Sequence, residues 1–127
     1  MNCELTKLLS WIIIIQNYID YMLKDFKDDD FQDKIVKEDC TVIQYSATWC
    51  APCKQQLPVL NKLSDSEEFK NKANFYHADV DQAVNQSTSA AIRGVPTIVV
   101  YERGEEKARL VGGTPESKLK EFLQANL

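Results

Sequence analysis

The two thiols of Trp49-Cys50-Ala51-Pro52-Cys53-Lys54 are the residues of this chain best suited to chemistry. At that spacing they serve either as half of a zinc site or as a redox pair that closes and opens a disulfide. Structural zinc takes four ligands, commonly with a second close pair. Only Cys3, Cys40 and His77 remain, and none is spaced as a pair. The redox reading is therefore preferred and no metal is expected. Redox exchange needs a thiolate, the nucleophilic form of cysteine. A helix N-terminus stabilises it through unsatisfied N–H groups and the helix dipole. Cys50 stands at such a place if a helix follows it. Cys53 is then close enough to close a disulfide or to attack a mixed one. Pro52 brings no N–H and presets the backbone of a first turn. Trp49 shields one side of the pair.

The flanking sequence supplies the elements that would hold this pair. Thr41 to Ser46 is rich in β-branched residues and reads as a short buried strand. Leu57, Leu60 and Leu63 repeat at helical spacing after the cysteines, with Pro58 inside as a kink. Upstream, the acids Asp28-Asp29-Asp30 suit a helix N-terminus. The short helix they open carries Ile35 and Val36 and ends at Cys40. Downstream, residues 75–80 read as a strand. Residues 82–92 read as a helix burying Val84, Ala91 and Ile92. Gly94-Val95-Pro96-Thr97 interrupts, and Ile98 to Tyr101 is a strand. Arg103-Gly104 turns into a strand around Ala108 to Val111, which Gly112-Gly113 breaks. Thr114 caps a last helix, with Pro115 at its first position, Glu116 in its first turn and Leu119, Phe122 and Leu123 inward. Alternating strands and helices, then a hairpin and a helix, give an α/β domain with a mixed sheet.

The 127 residues suit one domain and a core that needs no staples. Apolar residues at 44% and charged residues at 27% exclude wholesale disorder. A net charge of −4 without a basic stripe excludes a nucleic-acid partner. Four cysteines are too few for a disulfide scaffold. The strongest apolar run, Leu8-Leu9-Ser10-Trp11 and four isoleucines, is cut short by Gln16, Asn17 and Asp20. It falls below the roughly 20 residues of a membrane span. Glu4 beside Lys7 and the lack of a small-x-small site argue against a signal peptide. At helical period Leu8, Ile12, Ile15, Ile19, Met22 and Phe26 share a face, while four consecutive isoleucines also suit a strand. That face would pack on the domain or on a second copy; a docking helix and a membrane-proximal anchor are the alternatives. Removing residues 1–18 and measuring mass in solution tests an association of two copies.

With these motifs in order, the chain resembles the thioredoxin family over about residues 20–127. The resemblance rests on Ser46 through Lys54, on Pro58, on Asp79-Val80-Asp81, on Arg93-Gly94-Val95-Pro96-Thr97 and on Val111-Gly112-Gly113. The ending Leu119-Lys120-Glu121-Phe122-Leu123 also looks like the family's last helix. The resemblance implies a thioredoxin fold: a central mixed sheet with helices on both faces, over residues 19–127. A helical extension over residues 1–18 precedes it. It also implies that Cys50 attacks, Cys53 resolves, and Pro96 is a cis-proline facing the disulfide. Val95 would offer its backbone to a bound substrate, and Gly112 would let that substrate approach. Trp49, Ala51, Pro52, Val95, Gly112 and Gly113 would form the substrate-binding surface. The implied reaction is dithiol–disulfide exchange with protein substrates. It would use no bound cofactor, take place in the cytoplasm and be reset by a thioredoxin reductase.

Three positions depart from the family pattern. Ala51 replaces the usual glycine between the cysteines and is expected to shift the potential modestly. Gln44 stands where a buried aspartate helps deprotonate the buried cysteine, and an amide cannot titrate near neutrality. His77 stands at the partner lysine's place. The expectation is a neutral hydrogen-bonded pair of Gln44 and His77, with His77 or water relaying the proton. Cys40 is read as a small buried hydrophobe, and Cys3 as a terminal thiol open to intermolecular pairing. Two other functions compete with a general disulfide reductase. One is an exported reductase tethered by residues 8–15. The other is a binding subunit without redox turnover, against which the intact cysteine pair weighs.

Overall fold

A computed structural model of the chain describes residues 23–127. The readings of residues 1–18, of the boundary at residue 19, of Cys3 and of association through the N-terminal segment lie outside the described residues. The elements run β1 (Lys24–Asp25), β2 (Cys40–Ser46), α1 (Ala51–Ser64), β3 (Asn74–Asp79) and α2 (Val84–Ser89). Then follow β4 (Thr97–Glu102), β5 (Glu105–Val111) and α3 (Glu116–Asn126). The five strands form one sheet in the order β1-β3-β2-β4-β5. β1, β3 and β2 run parallel, while β4 and β5 are antiparallel to their neighbours. The mixed sheet expected from the element order is present.

Strand alternation sorts the core into two layers. Val42 of β2 and Ile98 and Val100 of β4 pack with Leu60, Leu63, Leu119 and Leu123 of α1 and α3. Ile43, Tyr45, Val99 and Tyr101 face the other way and pack with Phe26, Ile35 and Ala83. Burial on both faces explains why the central strands read as near-continuous apolar runs. Gln44 shares the α1 face with these apolar residues and is fully buried.

Several sequence expectations are corrected. The helix expected over 82–92 is only α2, because Ala91 adopts a left-handed φ of 54°. Its inward residues are Gln86 and Ser87, while Val84 is exposed. Tertiary bonds override the apolar pattern here. Asp28 receives the N–H groups of Asn85 and Gln86, and the Gln86 amide donates to the Tyr45 hydroxyl at 3.2 Å. The helix expected from Asp28 to Cys40 is a 3-10 turn over Asp28–Asp30 followed by a wide π turn over Phe31–Val36. Cys40 instead starts β2. The Lys27 N–H and the Lys34 ammonium both donate to Asp30, and the Thr41 hydroxyl closes the turn on the Lys34 carbonyl. Phe26 is buried, but on extended backbone whose N–H donates to the His77 carbonyl, not on a helical face. Thr114 does not cap α3. Its hydroxyl donates to the Gly112 carbonyl, so Pro115 takes the cap position.

The Tyr45 and Tyr101 hydroxyls meet at 2.8 Å under the sheet. Burial pushes both phenols up from their ordinary value. A raised folded value favours the folded state below the unfolded value of about 10, and that support is lost as pH rises further. Urea unfolding is therefore expected to show stability independent of these phenols up to about pH 10 and falling above it. Leu119→Ala empties a fully buried site between α3 and the sheet. It is expected to lower unfolding free energy by about 2–5 kcal/mol, read from the urea midpoint.

Candidate active site

The cysteine pair sits where the innermost strand hands over to a helix. β2 ends at Ser46, and the Cys50 N–H donates to the Ala47 carbonyl in a tight turn. Cys50 is the N-cap of α1, and its sulfur accepts the Cys53 N–H at 3.2 Å. Pro52 occupies the first turn, where a missing N–H costs nothing. Cys50 and Cys53 are joined as a disulfide with Cα atoms 5.3 Å apart. Cys50 is 6% exposed and Cys53 2%, so Cys50 is the sulfur nearer to solvent.

Three segments frame the pair. Trp49 is 71% exposed, yet its indole N–H donates to Asp81 at 3.1 Å, which pins the ring beside the cysteines. Asp81 is held in turn by its own N–H to the Asp79 carboxylate. Val95 packs against Ala47, Cys50 and Cys53, and the Val95–Pro96 peptide is cis. The Gly112 N–H donates to the Pro96 carbonyl at 2.8 Å, tying the third segment to the second. Gly112 has a φ of 91°, which suits glycine alone, and a Cβ on Gly113 would touch Pro52. Ala51 and Pro52 lie exposed at the start of α1.

Gln44 and His77 are neighbours in register across β2 and β3. They do not form the expected hydrogen-bonded pair. The Gln44 amide nitrogen donates to the Cys53 carbonyl at 3.3 Å and approaches the Ser46 hydroxyl at 3.5 Å. The contact with a carbonyl demands the nitrogen on that side and turns the oxygen away. Among the described residues Gln44 Oε1 is buried without a partner. His77 pairs instead with Asp25 of β1, its Nδ1 lying 3.7 Å from the carboxylate. A cavity of about 350 Å³ opens beside Cys53, lined also by Lys54, Leu57, His77 and Asp79.

Sequence reasoning assigns no role to Asp25 or Asp81. A two-residue strand leaves no period to read, so nothing in the sequence marks Asp25. Asp81 lies in the quoted Asp79-Val80-Asp81, but its bond to Trp49 spans 32 residues. Cys40 lies at the far end of β2 from the pair and is half-buried. Burial pushes its thiol up, Lys107 opposing, which leaves it a poor nucleophile.

A disulfide-forming Cys-x-x-Cys at the N-terminus of a helix, set at the end of a central strand of this sheet, defines a thiol–disulfide oxidoreductase. The family model described as Thioredoxin matches residues 22–125, and the chain belongs to the thioredoxin family. It is 31% identical to thioredoxin-1 of Saccharomyces cerevisiae, over 83% of this chain and 99% of that protein. It is 29% identical to the chloroplastic thioredoxin M4 of Arabidopsis thaliana, over 79% of this chain but 51% of the relative, about half its length. The crystal structure of thioredoxin (Mala s 13) from Malassezia sympodialis superposes with a TM-score of 0.76 at 32% identity. That match covers 82% of this chain and 90% of the other.

The positive φ of Gly112 yields a direct test. Gly112→Ala has open space for its methyl group, so its cost is backbone strain alone. Unfolding free energy is expected to drop by about 1–3 kcal/mol at unchanged m-value in urea.

Proposed function

We propose that the protein is a general reductant of protein disulfides. The observation that carries this reading is the Cys50 sulfur seated on the Cys53 N–H at the start of α1. In the reduced protein that N–H and the helix dipole favour a thiolate on Cys50. The thiolate attacks one sulfur of a substrate disulfide, and the other leaves as a thiolate and takes a proton. Cys53 then loses its proton and attacks the Cys50 sulfur of the mixed disulfide. The second substrate sulfur leaves, and Cys50–Cys53 closes. Two electrons have passed from the protein to the substrate. No bound cofactor takes part, and a reductase returns the pair to the dithiol.

The substrate lies across the exposed face of Trp49, Ala51, Pro52, Val95, Gly112 and Gly113, with Pro96 facing the disulfide. The indole held by Asp81 supports this reading, because a pinned apolar surface loses little entropy on binding. The cytoplasm is the working compartment; a half-buried free thiol such as Cys40 fits reducing surroundings. No helix among the described residues is long and apolar enough to cross a membrane. The apolar run of residues 8–15 favours a second reading, a membrane-tethered reductase. Protein left in the washed membrane pellet would establish the tether, and a free pellet would dismiss it.

Insulin precipitation with dithiothreitol tests the main reading. The wild type is expected to accelerate it, Cys50→Ser to abolish the acceleration, and Cys53→Ser to accumulate a mixed disulfide on Cys50. Wild-type inactivity would leave a binding subunit as the function. The potential of the pair is expected near the reductant's value of about −270 mV, far from the about −120 mV of an oxidant.

A further inference from the structure

Asp25, His77 and Gln44 lie side by side across three parallel strands. β1 pairs with β3 at Asp25 and His77, and β3 with β2 at His77 and Gln44. Residues in register share a face of the sheet, here the face beneath α1. Side-chain exposure is 79% at Asp25 and 25% at His77, and Gln44 is 0% exposed. The row therefore leads inward from the sheet edge to the strand beneath Cys53. Two further observations mark it as a path. Gln44 Oε1 is buried without a partner among the described residues, and a buried acceptor of that kind calls for water. The cavity beside Cys53 is also lined by His77 and is large enough for water.

We infer that this row is the proton exit for Cys53, with His77 as acceptor and Asp25 as its positioning partner. The inference rests on the redox reading above and specifies its resolving step. The Cys53 S–H bond breaks as its sulfur attacks Cys50. The proton moves through water in the cavity that Cys53 and His77 both line to the imidazole, and from there to solvent at the edge marked by Asp25. Asp25 lies on the Nδ1 side of the ring, 3.7 Å away, and its carboxylate pairs with the ring once both nitrogens are protonated. The other charged groups around the cavity are Lys54 of α1 and Asp79 of β3. The Lys54 ammonium has no lone pair to accept a proton. Asp79 is engaged by the Asp81 N–H.

Ellman's reagent separates the two steps, because Cys50 attack and Cys53 resolution each release one coloured thiolate. Stopped-flow traces of the full chain, with Cys3 and Cys40 replaced by serine, are read from pH 5 to 9. The second phase is expected to carry an inflection that the first phase lacks. His77→Asn should remove that inflection and slow the second phase at pH 7 at least ~10-fold more than the first. Asp25→Asn should slow it by a smaller factor, and Asp25→Glu should restore it. Gln44→Asp added to His77→Asn should recover the second phase, since it sets a carboxylate under Cys53. An unchanged profile in His77→Asn overturns the relay, as does equal slowing of both phases or a failed rescue. Wild-type turnover of insulin with any of these outcomes leaves the redox reading standing. Absent turnover overturns both.

Discussion

The hydrogen bond from the Cys53 N–H to the Cys50 sulfur is the contact on which this structure turns. It exists only if the chain leaves a buried strand, turns within four residues and enters a helix whose first residues stack above that strand. β2 meets the first demand because both of its faces are covered. Pro52 meets the last, since its ring fits a first turn and removes a donor that would have no partner. Leu60 and Leu63 anchor the other end of α1 in the core. A shift of α1 by one residue would carry the sulfur off the helix axis and expose those leucines together.

Around that contact the protein arranges surfaces of opposite character. On the outer side, Trp49, the Val95–Pro96 segment and the two glycines form a docking face. Each is tethered from outside its own segment, by Asp81, by the core packing of Val95 and by the bond from Gly112 to Pro96. On the inner side, the apolar layer under α1 is broken by Gln44, His77 and Asp25. A fully buried amide with one orphaned atom costs free energy in a row of valines and isoleucines. Such a cost persists where it serves chemistry, and here the same amide holds the backbone carbonyl of the less exposed cysteine.

The strand-to-helix junction, both cysteines, the hairpin and the last helix are legible in the sequence. Their signals are local: β-branched runs, leucines at helical spacing, Pro52, and Gly112-Gly113. Segments 28–40 and 82–92 defeat a reading by periodicity, because their geometry is set by side chains from elsewhere. Asp28 caps α2 across 57 and 58 residues of sequence, and Gln86 faces inward to reach Tyr45. Apolar spacing carries no sign of a polar residue buried by a distant partner. The site divides in the same way. Cys50, Cys53 and the loop around Pro96 carry their own motifs, whereas Asp25 and Asp81 matter only through contacts.

The sequence by itself determined the class of chemistry, since two thiols three positions apart before a helical repeat have little else to do. It also determined the alternation of elements that makes a mixed sheet. Tertiary structure alone decided which polar groups meet. It parted Gln44 from His77 although their strands are neighbours, because the Cys53 carbonyl claims the Gln44 nitrogen. It brought Asp25, from a strand of two residues, alongside the imidazole. Register between strands fixes such meetings, and register is a property of the packed sheet, since a strand's own sequence specifies its faces but not the partner across from each residue.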